Sequence, residues 1–175
     1  ASPTGRQRGR RHSILWRKSE MLYNSDKTLG TAESCTGGRI AEAIIAVPGA
    51  SNYFKGGIVS YTNEVKENLL GVSHEVLEEQ TAVCEEVAKE MVIGAINALH
   101  VDYAISATGV AGPSGGTLEN PVGTIWIGYG SKDDVRTLKL TDDFGRDINL
   151  AIATNTALKS MFAFLKEHEE DLKKD

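Results

Sequence analysis

Residues 28–47, TLGTAESCTGGRIAEAIIAV, change character halfway along. The first five, TLGTA, are short and strand-like. Ser34, Cys35 and Thr36 then run into Gly37 and Gly38, and beyond these the apolar residues Ile40, Ala43, Ile44 and Val47 recur at helical spacing. Pro48 and Gly49 end that helix. A strand that turns directly into a helix is half of a strand–helix–strand unit, and residues 56–61, GGIVSY, supply the next strand. TNEVKENLLG follows, where Thr62 or Asn63 can cap a short helix that Gly71 closes. Two successive strand-to-helix turns predict a layered α/β domain.

Outward from this unit, residues 85–100 carry Val87, Met91, Ala95 and Leu99 on one stripe, a long amphipathic helix for packing on a sheet. DYAISATG (102–109) and VGTIWIGYG (122–130) read as strands. The loop between them, GVAGPSGGTLENP, has too much Gly and Pro for regular structure. VRTLKL follows the turn SKDD, so residues 122–140 form a hairpin and the sheet is mixed. A last helix starts near Asp147, with Ile148, Ile152, Leu158, Phe162 and Leu165 as its expected buried face. The expected organisation is a basic N-terminal arm over 1–27, a single domain over 28–168 and a solvated tail over 169–175. Arg6, Arg8, Arg10 and Arg11 make the arm basic, and it is read as disordered or appended.

With 175 residues, 41% hydrophobic and 25% charged, the chain can bury one real core. A net charge of −5 argues against nucleic acid as a partner. No apolar run approaches the ~18 residues of a membrane span, and no secretory signal is recognised, so no membrane partner is expected. Two cysteines, Cys35 and Cys84, in a chain of this size point to free thiols in a reducing compartment, and the reading is cytoplasmic.

No metal is expected. His12, His74, His100 and His168 are isolated and form no ligand spacing with the cysteines. No histidine falls in a loop that would display a catalytic base. Lys66 can serve instead: in the first turn of its helix, the helix dipole and partial burial would lower its pKa and favour the neutral amine that takes a proton. Ser34 sits at the other strand-to-helix turn, where the N–H groups of Cys35, Thr36 and Gly37 could stabilise an oxyanion or hold a phosphate. Tyr61, shortly before Lys66, could relay a proton or orient the lysine. Cys35 competes as nucleophile, although a small buried thiol is the preferred reading, and Thr36 is most simply the helix N-cap. Arg146 is a candidate anion partner. The loop 109–116 has the composition of a phosphate cradle without the P-loop pattern.

Taken together and in order, TAESCTGG, GGIVSYTNEVKENLLGV, ATGVAGPSGG, PVGTIWIGY and the helix at Arg146 resemble the C-terminal domain of the CinA family. These competence/damage-inducible proteins include a stand-alone nicotinamide mononucleotide amidohydrolase. The resemblance spans roughly residues 28–165. It implies a three-layer α/β/α sandwich with a mixed, mostly parallel sheet, a tendency to form homo-oligomers, and metal-free, cofactor-free hydrolysis. Ser34, Lys66 and Tyr61 would be catalytic, with Cys35, Thr36, Gly37, Gly38, Thr108, Gly109, Gly112 and Arg146 lining the substrate site. The implied reaction converts the carboxamide of nicotinamide mononucleotide to nicotinic acid mononucleotide and ammonia. The other reading is a nucleotide-sensing or assembly module of the same type that turns nothing over. The family often has Gly-Asp-Arg before the last helix where this chain has FGRD, and Cys84 stands where Ser is common, which costs a helix cap.

Overall fold

The computed structural model describes residues 14–173. Its sheet has the order β2-β1-β3-β4-β5, made of β1 (Leu29–Glu33), β2 (Phe54–Val59), β3 (Tyr103–Gly109), β4 (Ile125–Ser131) and β5 (Val135–Leu140). β1 pairs in parallel with β2 and β3, whereas β3–β4 and β4–β5 are antiparallel. Only β4 therefore runs against the others, and the sheet is mixed and mostly parallel as expected.

Helices cover both faces. On one face lie α1 (Ile14–Tyr23), α2 (Arg39–Ile45) and α6 (Arg146–Glu167), sharing a core with Leu29, Ile105 and Ile127. On the other lie α3 (Asn63–Leu70), α4 (His74–Gln80) and α5 (Glu85–Leu99), packed on Ala32 and Ala104. Thr62 caps α3, accepting from Val65 N–H at 3.3 Å, and Gly71 closes it at φ 67°. Close packing on this face depends on two glycines without a Cβ: Gly128 lies beneath the Ala88 carbonyl of α5, and Gly94 in α5 lies against the Leu70 carbonyl of α3.

Several expectations change. Residues 14–27, assigned to the arm, are not a disordered stretch: from Ile14 the chain forms α1 and Leu22 is fully buried in the core. Apolar residues too sparse to signal a helix alone are sufficient when the sheet supplies the partner surface. The arginines at 6, 8, 10 and 11 lie outside the described residues. The tail is likewise partly structured: a 3₁₀ turn at Glu169–Leu172 buries Leu172. α6 starts at Arg146, near the expected Asp147, and of its expected buried face Leu158, Phe162 and Leu165 are buried, joined by Leu150, Ala153, Ala157 and Met161, whereas Ile148 is exposed. By length and composition α6 would pass as a membrane span, contrary to the expected absence of such a run. Its apolar stripe is instead buried against the sheet, so it is a core helix. α4 was not anticipated; Ser73 caps it by accepting from Val76 N–H.

Candidate active site

β2 and β3 lie on opposite sides of β1, and this reversal opens a crevice beyond the carboxyl ends of the parallel strands, the usual ligand position in open α/β sheets. The register pairs Glu33 of β1 with Val59 of β2 and with Ala107 of β3. Ser34, Tyr61 and Thr108, each just past those partners, therefore converge. The cleft they border measures about 400 Å³ and is also lined by Cys35, Lys66, Gly109, Gly112 and Arg146.

At its floor, Lys66 Nζ lies 3.0 Å from Ser34 Oγ and donates to the Tyr61 carbonyl at 3.1 Å. Lys66 is 1% exposed and Ser34 7%. Burial holds the Lys66 pKa below its ordinary value, against a smaller opposing pull from Cys35. Desolvation penalises the ammonium, which shifts the balance toward the neutral amine. With one amine hydrogen held by the Tyr61 carbonyl, the lone pair can accept from the serine hydroxyl. Tyr61 thus meets the lysine through its backbone; its ring is 67% exposed.

Cys35 sits in the core, and burial pushes its thiol up to about 11, with Lys66 and Arg146 pulling weakly the other way. It stays a protonated thiol at neutral pH, as the preferred reading had it. Both Cys35 and Cys84 are free. Cys84 is the N-cap residue of α5 but makes no side-chain capping bond.

The turn after Ser34 departs from expectation. Thr36 is not the N-cap of α2, which is Gly38, and the Thr36 hydroxyl donates to Glu33 Oε1 at 2.7 Å instead. Gly37 N–H is spent on the Ser34 carbonyl at 3.1 Å, so it is no oxyanion donor. Gly37 and Gly38, both at positive φ, make the tight turn that brings Arg39 into α2, and with Thr36 they fall outside the residues lining the cleft. Their role is backbone geometry.

Thr108 closes the cleft's floor, its hydroxyl donating to the Ala82 carbonyl at 2.8 Å. Arg146, the first residue of α6, donates through Nη1 to the Gly112 carbonyl at 2.7 Å, tying the glycine-rich loop to the helix. Sequence reasoning missed Asn149, which reinforces that tie by donating to Ala111 O at 3.1 Å and accepting from Phe144 N–H. It also missed Glu33. Asparagine inside a helix and glutamate at a strand end carry no sequence signal for such contacts. Among the described residues, no three His, Cys, Asp or Glu side chains gather as a metal site.

A buried lysine amine 3.0 Å from a buried serine hydroxyl thus stands at the topological switch point of an α/β sandwich. The chain belongs to the CinA C-terminal domain family, which matches it over residues 13–165. It is 54% identical over 114 residues to a CinA-like protein of Leptospira borgpetersenii, covering 65% of this chain and 27% of that protein. It is 42% identical over 148 residues to a putative competence-damage inducible protein of Halothermothrix orenii, covering 84% of this chain and 36% of that protein. The chain thus spans about a quarter to a third of the length of these curated relatives. Among solved structures it resembles a CinA superfamily protein from Klebsiella pneumoniae, with TM-score 0.83 and 31% identity over 87% of this chain and 96% of that one. A competence/damage inducible protein from Agrobacterium tumefaciens aligns with TM-score 0.77 and 33% identity over 94% of this chain and 98% of that one.

Proposed function

We propose that the domain hydrolyses the carboxamide of nicotinamide mononucleotide to nicotinic acid mononucleotide and ammonia. The observation that carries this reading is the 3.0 Å contact between a buried lysine and a serine at the cleft floor. Burying Lys66 against the Ser34 hydroxyl is costly, and a proton-transfer role gives that placement a use.

In this mechanism Ser34 Oγ attacks the amide carbon as its proton passes to Lys66 Nζ, forming a tetrahedral oxyanion. The N–H of Cys35, which lines the cleft, is the oxyanion donor in this reading, Gly37 and Thr36 having been excluded above. When the C–N bond breaks, Lys66 returns the proton to the departing nitrogen and ammonia leaves. Water then gives a proton to Lys66, attacks the acyl-serine and releases the acid, restoring the Ser34 hydroxyl. Arg146, which lines the cleft, offers to the phosphate the guanidinium donors not spent on the Gly112 carbonyl. A cleft of about 400 Å³ falls within the ~300–1,000 Å³ usual for small-ligand sites.

The test is ammonia release from nicotinamide mononucleotide by the purified chain, with chelator present. Ser34→Ala and Lys66→Ala should each lower the rate by roughly 100- to 10,000-fold, the range for loss of proton-transfer catalysis. The double variant should be no slower than the worse single one, because the pair acts as a unit. Undiminished release by Ser34→Ala would overturn the mechanism.

A further inference from the structure

Glu33 takes no part in the chemistry just described, yet it is 1% exposed and lies immediately before the proposed nucleophile. Its carboxylate accepts from Thr36 Oγ1 at 2.7 Å, Ile40 N–H at 2.8 Å, Ala41 N–H at 3.0 Å and Thr31 Oγ1 at 3.4 Å. Ile40 and Ala41 are the second and third residues of α2, whose first-turn N–H groups have no partner within the helix. Such groups are ordinarily met by the N-cap side chain, but the N-cap here is Gly38, which has none. Glu33 reaches across the whole turn to do it, and a negative charge there suits the helix dipole. Its main chain is held as well: the Glu33 carbonyl accepts from Ser60 N–H at 2.8 Å and Ser60 Oγ at 3.4 Å.

Ser34 therefore hangs from a residue gripped at both ends. The main chain of Glu33 joins it to β2, which leads into Tyr61 and Lys66, while its side chain joins it to α2. We infer that Glu33 is a positioning residue, setting the distance between Ser34 Oγ and Lys66 Nζ by locking the turn 34–38 between β1 and α2. It also consumes the N–H groups that could otherwise take a ligand phosphate, which leaves that role to the Arg146 side of the cleft. Room for the network is made by Gly57, paired with Thr31 on the neighbouring strand, where any Cβ would collide with Thr31 Oγ1.

This inference rests on the proposed serine–lysine reading, and its test is arranged to separate the two. Glu33→Gln keeps the size and one acceptor oxygen but turns an NH₂ toward one of the donors the carboxylate now serves. In ammonia release, kcat should fall about 100-fold, the loss that a ~1 Å misplacement can cause. KM should stay within about twofold, and the pH limb of Lys66 should keep its midpoint, because Glu33 carries no proton in the reaction. Thr36→Val, lacking the 2.7 Å donor, should give a smaller loss of about tenfold. A purely structural Glu33 would lower the melting temperature and leave kcat per folded molecule unchanged; that result overturns the inference. A second readout, independent of substrate identity, is the rate at which a fluorophosphonate labels Ser34. Slower labelling of Glu33→Gln supports positioning even if nicotinamide mononucleotide proves not to be a substrate. Equal labelling of variant and wild type overturns positioning even if the amidase reading holds. A wild-type Ser34 inert to the probe sinks the serine–lysine pairing and the positioning role with it.

Discussion

Lys66→Met should lower turnover by roughly 100- to 10,000-fold while leaving the domain about as stable at neutral pH as before. Methionine is unbranched and close to lysine in length, so it fills the same buried space without an ammonium to desolvate. The Tyr61 carbonyl loses its 3.1 Å donor, a loss of ~1–3 kcal/mol for a fully buried group and less here, since Tyr61 stands at an open cleft. The two effects oppose each other at pH 7. Their balance changes with pH in a definite direction. The folded pKa of Lys66 lies below 10.5 while the unfolded chain keeps the ordinary value, so between the two the unfolded state holds a proton that the folded state lacks. Wild-type stability, measured relative to Lys66→Met, should therefore rise with pH across that window, at no more than about 1.4 kcal/mol per pH unit. It is highest above 10.5, falls as pH drops toward the folded pKa, and is level below it. Urea unfolding of both proteins at a series of pH values from 7 to 10.5, followed by circular dichroism, reads this difference. In wild type, kcat/KM should climb with pH along a single-proton limb with its midpoint below 10.5. A stability difference flat over the whole range, or turnover by Lys66→Met within about tenfold of wild type, would refute the account of Lys66 as a buried base.

Cys35 should resist iodoacetamide at pH 7–8 in the folded protein, since burial pushes its thiol up to about 11. Cys35→Ala should retain turnover and cost ~1 kcal/mol of stability, measured by urea unfolding. Nicotinamide mononucleotide should bind more tightly than nicotinamide riboside by calorimetry, and Arg146→Ala should narrow that gap; equal affinities in the unaltered protein would remove the phosphate from the Arg146 side. Gly94→Ala should destabilise by ~1–3 kcal/mol, because the added methyl meets the Leu70 backbone rather than a movable side chain. An unchanged melting temperature would show that α3 and α5 can separate freely.

The chain by itself determined what depends on near neighbours. Strand and helix periods, the Thr62 cap, the Gly71 stop and the β4–β5 hairpin all follow from contacts a few residues apart, and all are found. So did the choice of Ser34 and Lys66, because each stands at a strand-to-helix turn where chemistry can be displayed. Elements whose stability comes from distant partners were harder to read. α1 and the Glu169–Leu172 turn are marginal alone and form because the core accepts Leu22 and Leu172. The buried face of α6 kept Leu158, Phe162 and Leu165 but not Ile148 for the same reason, since the sheet and not the helix selects which stripe is covered. Tertiary structure alone decided that Ser34 and Lys66, 32 residues apart in sequence, meet at 3.0 Å, because the parallel register of β1 with β2 brings their strand ends together. It likewise decided that Arg146 reaches Gly112 across 34 residues. The capping of α2 is the sharpest case: local rules look for the donor's partner at the N-cap, but that residue is a glycine, and the carboxylate that fills its place comes from the end of β1.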